Sequence, residues 1–585
     1  MDGWRFDPIS GLIGAVLALV LAGLAYLSRE SLAGASEQSL EILRNLLAQL
    51  TADTEHRYRE GLAEWASRLH VFAKLVPLEK VFVQPPLVPL PPFPIPGVEI
   101  PTPRRAPSLG AIINGHPRVA ILGDPASGRT STLAYLSIHF ARGEAGQTLG
   151  AYMERLPLYI SLPRLDWPAM ENTGQDVEDK DLIEWLVNSA LTSVSGKPAH
   201  GAALKNHLSA GTALVLFDGW DELEPEQQRQ AATWLGVLAD KLVDNIWVVT
   251  AGPNGFAPLT AAKFVPVRLG EWENEHARAL ADRWVNAFQP AEEEAVQDTA
   301  RLNRNLIGAL HAGATPLELA VRCWSFHVDG TLTTGRARTL VRATEQMLNA
   351  AEGESDWALA DVLAAANDLA LLLQKGNRTS LSLQELDEAL EAVMPPTGDR
   401  HPQAKEQAIK ALTAPGSILR SSDGGGYTFP HPLWPSSLAA QQMADLPPAT
   451  LLEHLEDPAW ATMVDYYAEY APMEPVIEVW LSEPDDLWHT RLCRAARWVS
   501  ASSPDAQWRN GVMALLARTF LKPELLLPIR QRIAKALINT NDPGVLYLFK
   551  QSVQNPEPEI RAAVLSALGQ LGREADVEAF RAALD

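Results

Sequence analysis

The spacing of apolar residues changes several times along this chain, and each change marks a division. From Pro8 to Ser28 no charged residue occurs, and Gly11 to Leu27 is almost wholly apolar. About 20 such residues cross a bilayer core as a helix, so residues 8–28 predict one transmembrane helix. Trp4 and Tyr26 suit the two interfaces, with Arg5 and Arg29 at the flanks. Gly14, Ala18 and Ala22 fall on one face and permit close helix packing in lipid. A cleaved secretory signal ending at Ala33-Gly34-Ala35 is the alternative. The amino-terminal region lacks the positive charge that reading requires.

Residues 29–76 carry helical spacing, with Leu40, Leu43, Leu46, Leu47 and Leu50 followed by Leu62, Trp65, Leu69 and Phe72. This predicts a helical stalk that either pairs with other copies or docks on the body. Residues 77–107 are rich in proline and predict an extended spacer; a ligand for an aromatic groove is the other option. Between 108 and 270 apolar runs at Val119–Leu122, Leu158–Ser161, Ala213–Phe217, Ile246–Thr250 and Phe264–Arg268 alternate with helical stretches. That alternation predicts a mostly parallel sheet between helices. Residues 271–398 read as a helical domain. In 399–445 a helix precedes a hairpin turning at Asp423-Gly-Gly-Gly. Within 446–585, Ile529–Leu537 and Ile560–Leu568 are alike and start 31 residues apart, as in a stacked helical repeat.

The 585 residues carry a net charge of −22, which argues against a nucleic-acid-coating surface. Nucleic acid is therefore not the expected partner, although a resemblance of 399–445 to winged helices raises that rival. The two cysteines, Cys323 and Cys493, are far apart and have no metal-ligand spacing. They read as structural thiols of a reducing compartment.

Candidate chemistry sits in the α/β part. The strand Val119–Leu122 runs into Gly123-Asp-Pro-Ala-Ser127-Gly128-Arg129-Thr130-Ser131, and a helix follows. Glycines let backbone N–H groups wrap phosphates, and the helix N-terminus favours anions. Gly123, Ser127, Gly128, Arg129, Thr130 and Ser131 are the candidate nucleotide contacts. Thr130 and Asp218 are the candidate Mg²⁺ ligands, because Asp218 ends the apolar strand Leu214–Phe217. Asp221 and Glu222 lie just beyond and could orient an attacking water. Arg129 stands where Lys is usual. It keeps the charge but is planar and bulkier.

The segment Asp218-Gly-Trp-Asp-Glu222 after four apolar residues resembles the signature of NACHT NTPases, a branch of the STAND signalling ATPases. The likeness extends over roughly 111–443. Thr315-Pro316-Leu317 is similar to the family's helical-domain proline motif, which lies near adenine. Tyr427-Thr-Phe-Pro-His431 with Leu438-Ala-Ala440 is similar to its winged-helix motif, whose His contacts the β-phosphate of ADP. The C-terminal repeats resemble HEAT repeats. Three positions depart from the pattern: Arg129, Gly252 in place of a sensor arginine, and Ser436 in place of an acid.

The fold expected is thus a transmembrane helix, an α/β P-loop NTPase core, a helical domain, a winged helix and an α-solenoid. The function implied is a membrane-anchored switch that binds ATP or ADP with Mg²⁺, hydrolyses it weakly or not at all, and forms a homo-oligomer on activation. Bacterial defence or stress signalling is the expected setting. The repeats would bind an unknown protein, and the chain would cross the cell membrane once with its bulk in the cytoplasm. A degenerate scaffold without nucleotide and an active ATPase are the rival readings.

Overall fold

A computed structural model describes residues 53–91, 106–151, 154–165, 167, 178–194, 196–288, 293–351, 357–394, 401–422 and 425–571. The expected transmembrane helix at 8–28 lies outside them. Among the described residues no helix is long and apolar enough to cross a membrane.

Six strands form the central sheet: β1 Leu87–Pro89, β2 Arg118–Leu122, β3 Leu156–Ser161, β4 Ala213–Asp218, β5 Ile246–Ala251 and β6 Val265–Leu269. Their order is β1-β6-β2-β5-β4-β3. All neighbours are parallel except β1, which pairs antiparallel with β6. The inner strands are mostly apolar and buried, with Arg118, Arg268 and Asp218 only partly buried at or near their ends, as both faces of a covered parallel sheet require. Helices Arg129–Ala141, Asp179–Ser193 and Gly201–Ser209 pack on this sheet. Trp247 on β5 stacks with Phe217 on β4, ring centroids 6.3 Å apart.

The topology positions the site. β5 separates β2 from β4, so their carboxyl ends are about 10 Å apart, two interstrand spacings. One end bears Gly123 and the other Asp218. Ligands of open α/β sheets bind at such carboxyl ends.

Two segments before the sheet differ from the spacer and stalk expected. The helix at 53–67 docks on the sheet domain through Tyr58, Leu62 and Ala63. The Tyr58 hydroxyl donates to the Pro157 carbonyl at 2.9 Å, and Trp65 meets Tyr159 edge-on at 4.8 Å. Docking on the body, one of the two options for 29–76, thus holds for its described part. The proline-rich segment does not simply span a gap. It forms the short helix Leu78–Val81 and then edge strand β1. Pro89 is tolerated there because an edge strand has one side free of ladder bonds.

Helices Asn274–Phe288, Glu293–His311, Pro316–Asp329, Ala337–Ala351 and Leu359–Gly376 build the helical domain. The winged unit contains helix His401–Thr413, strands β7 Arg420–Ser421 and β8 Tyr427–Thr428, and helix Leu433–Ala444. It begins before residue 399, because Leu381 bridges to Tyr427 and leads into helix Leu383–Val393. Among the described residues eight α-helices follow, from Pro448–Leu452 to Pro558–Leu571. The repeated segments at 529 and 560 occupy neighbouring stacked helices, Leu527–Asn539 and Pro558–Leu571. One continuous core unites the helical domain, winged unit and C-terminal helices; a second holds the sheet domain.

Candidate functional site

After β2 the chain turns through a loop that is strained in the way a phosphate loop must be. Ala126 has φ 67° and Gly128 φ 95°, both left-handed. Gly128 caps helix Arg129–Ala141, and only glycine adopts that conformation without cost. At Gly123 a Cβ would lie 2.4 Å from the Ser127 Oγ, so the loop closes directly over this residue. The Ser127 Oγ is buried and has no hydrogen-bond partner among the described residues. An orphaned hydroxyl inside a glycine loop at a helix N-terminus suits a phosphate oxygen.

Thr130, at the start of that helix, donates to the Asp218 Oδ2 at 2.8 Å. Asp218 also accepts from the Tyr159 hydroxyl at 2.7 Å and from Thr250 Oγ1. Three hydroxyls from three elements thus aim one carboxylate at the end of β4. Burial raises the Tyr159 phenol well above its ordinary range, and the Asp218 charge raises it further, so it remains a donor. Thr130 and Asp218 together fit the two protein ligands that a nucleotide-bound Mg²⁺ takes from such a loop and strand end.

Asp221 and Glu222, in the turn after β4, are in different situations. Arg129 donates to both oxygens of Asp221, at 2.5 and 2.8 Å. Glu222 carries a carboxyl pushed up by burial first, then by Asp218 and Asp221. Gly252, at the end of β5, faces Asp221: a Cβ there would sit 3.3 Å from the Asp221 Cβ.

The remote candidates join the loop. Ser127 to Ser131, Pro316 and His431 line one cavity of about 340 Å³. Leu317 N–H donates to the Ala126 carbonyl at 3.4 Å, which ties the proline motif to the phosphate loop. Thr315 and Glu318 cap this helix reciprocally. The His431 Nδ1 accepts the Leu433 N–H at 3.2 Å, which leaves Nε2 as the protonated nitrogen. Burial lowers the His431 pKa to about 4, with Arg129 adding to the effect and Glu318 opposing it. The ring is therefore a neutral donor. Ser436 donates to the Pro432 carbonyl at 3.1 Å and does not line the cavity.

Several lining residues fall in stretches that the sequence reading gave to stalk and linker. Phe72, Val81 and Phe82 form an apolar wall with Trp272, Trp284 and Leu317. Arg420, on β7, is a further cation at this cavity. The run Val81-Phe82-Val83 inside a proline-rich segment was the available signal, since a solvated spacer has no need of it. Arg420 left none.

Residues 528–585 match the HEAT repeats family. That agrees with the helices stacked at a 31-residue interval. No curated protein matches the chain. Among solved structures, Cdc6p from Pyrobaculum aerophilum is 14% identical, with 55% of this chain and 87% of that chain covered at a TM-score of 0.22. Drosophila ORC bound to DNA is 12% identical, with 56% and 82% covered at a TM-score of 0.22. By its topology and its loop, the chain joins a P-loop-type α/β core to C-terminal HEAT repeats.

Proposed function

We propose that this protein is a NACHT-type nucleotide switch that holds ADP or ATP with Mg²⁺ and turns it over slowly or not at all. The observation that carries this reading is convergence. The glycine loop, Pro316 and His431 are separated by up to about 300 positions, yet they line one cavity. Phosphates would rest on the loop N–H groups and Ser127, Mg²⁺ on Thr130 and Asp218, and the base against the apolar wall. The neutral His431 would donate from Nε2 to a phosphate. Arg129 is already engaged by Asp221, and Gly252 brings no charge, so charge at the γ-phosphate is poorly met. This favours holding over hydrolysis.

In this reading, release of the nucleotide clamp lets protomers assemble. Residues 8–28 tether them to the membrane as a single pass with the bulk in the cytoplasm, and the HEAT repeats contact a protein partner. Defence or stress signalling follows from the family likeness alone. An active ATPase is the second reading. It is favoured by Glu222, a carboxyl in the turn after β4 whose pKa is raised by burial and then by Asp218 and Asp221, as a general base requires.

The test is nucleotide content of the protein as purified, followed by ADP and ATP titration and turnover. Bound ADP with negligible turnover supports the switch. Turnover abolished by Glu222→Gln supports the ATPase. Absence of binding to either nucleotide overturns both and leaves a scaffold.

A further inference from the structure

A second cavity, of about 340 Å³, lies between the helical domain and the C-terminal helices. Arg304, Arg322 and Arg336 line one side; Arg497, Asp465 and Glu469 line the other. The two carboxylates are already committed. Glu469 accepts the backbone N–H groups of Arg336, Ala337 and Arg338, at 2.5, 3.0 and 3.1 Å, and so caps helix Ala337–Ala351. Asp465 accepts from Trp498 Nε1 at 2.9 Å and pairs with Arg494 and Arg497 at 3.5 and 3.6 Å.

The arginines are not matched in the same way. Arg336 has Glu318 as its partner, at 3.0 Å. Arg322 is only 3% exposed, yet among the described residues no carboxylate accepts a hydrogen bond from it. Its NH groups donate to the Thr333 and Gly335 carbonyls and to the Asn305 amide oxygen, and its Nε has no partner. Arg304 forms no hydrogen bond or ion pair among the described residues. Glu318 and Glu469 offset the Arg322 charge without hydrogen-bonding it, but its buried Nε still lacks an acceptor, and the exposed Arg304 beside it brings a further positive charge to the cavity. The local excess of positive charge stands out in a chain of net charge −22.

We infer that this cavity is a binding site for a small anion bearing two or more phosphate groups. The guanidinium fork matches phosphate oxygens in pairs, and the volume falls within the range of small-ligand sites. Arg304 and Arg322 would take the phosphates, with Arg497 closing from the opposite wall. Because the two walls belong to different domains, the ligand clamps one to the other. The clamp also bears on the first cavity, since Arg336 grips Glu318 at the capped start of the Pro316 helix. The site itself does not depend on the nucleotide reading.

Pyrophosphate binding to the full-length protein in detergent, measured by calorimetry without Mg²⁺, tests this. Three forms are compared: wild type, Arg129→Ala and Arg304→Glu. Arg304 is exposed, so the fold should survive its substitution; an unchanged unfolding midpoint confirms that. The expected result is affinity retained in Arg129→Ala and weakened about 10-fold or more in Arg304→Glu, as for a lost hydrogen bond to a charged group. Absence of binding to wild type overturns the site. So does unchanged affinity in Arg304→Glu. Affinity lost in Arg129→Ala places pyrophosphate in the phosphate loop instead, which overturns this site while supporting the first.

Discussion

Arg129 grips both carboxylate oxygens of Asp221, at 2.5 and 2.8 Å, opposite the bare Cα of Gly252. Positions 129 and 252 are thereby coupled through Asp221. Position 252 carries no cation, and the guanidinium that neutralises Asp221 comes from the phosphate loop. The side chains are 15% and 33% exposed, so the pair is shielded enough to matter. In the proposed switch a triphosphate would have to compete with Asp221 for Arg129.

Replacing Arg129 with lysine tests that competition. Lys is a compact point charge and cannot hold Asp221 in a two-pronged grip. It is then free to reach the phosphates. Arg129→Lys is expected to tighten ATP binding about 10-fold, roughly the worth of one charged hydrogen bond, and ADP binding less. Titration with both nucleotides measures it. Unchanged or weaker ATP binding would count against the phosphate-loop assignment.

What could be read from the chain and what could not follows the range of the interactions. The loop Gly123–Thr130 and the strand end at Asp218 are local patterns, so glycine spacing and an apolar run ending in acids were sufficient. The repeats at 529 and 560 were visible because a repeat is similar to itself. Arg420 and the wall at Val81–Val83 reach the cavity only through tertiary packing. Proline content concealed β1, since an edge strand tolerates the residue that usually forbids one. The Arg129–Asp221 pair spans 92 positions, and nothing local announces it.

Asp218 is expected to show separate structural and metal roles. Asp218→Ala leaves the hydroxyls of Thr130, Tyr159 and Thr250 without their acceptor and should cost about 2–3 kcal/mol in urea unfolding. Asp218→Asn keeps the shape and one acceptor oxygen and should cost less. It should also abolish the extra thermal protection that Mg²⁺ gives in the presence of ADP. If Mg²⁺ still adds protection in Asp218→Asn, the ligand assignment fails.

His431 predicts a pH dependence with a definite sign. Its pKa in the folded protein is about 4, below the ordinary histidine value, because burial and then Arg129 disfavour the cation. The unfolded chain therefore takes up a proton before the folded one does. Stability from this group is complete above about pH 6.5 and is lost as pH falls toward 4. Between pH 7 and pH 5 the wild type should lose about 1–2 kcal/mol more than His431→Gln. Denaturant unfolding at the two pH values decides it; equal losses would show that His431 is not buried neutral.

Glu318 joins the nucleotide cavity to the C-terminal helices, and its removal should be felt at both. It is fully buried. Its carboxylate accepts the Thr315 N–H at 2.6 Å, the Tyr466 hydroxyl at 2.7 Å and Arg336 Nε at 3.0 Å. Burial alone would raise this carboxyl, but Arg336 and then the Thr315 and Tyr466 donors hold it below its ordinary value. Glu318→Gln removes the charge and strands Arg336 in a buried setting, a change that typically costs about 3–5 kcal/mol. The same substitution loosens the cap of the helix that begins at Pro316, whose Leu317 N–H reaches the Ala126 carbonyl. ADP affinity should therefore fall along with stability. The double variant Glu318→Gln, Arg336→Met removes the stranded cation and should recover stability, yet ADP affinity should stay reduced, because the cap remains weakened. Recovery of both together would place the whole effect in the ion pair and none in the cap.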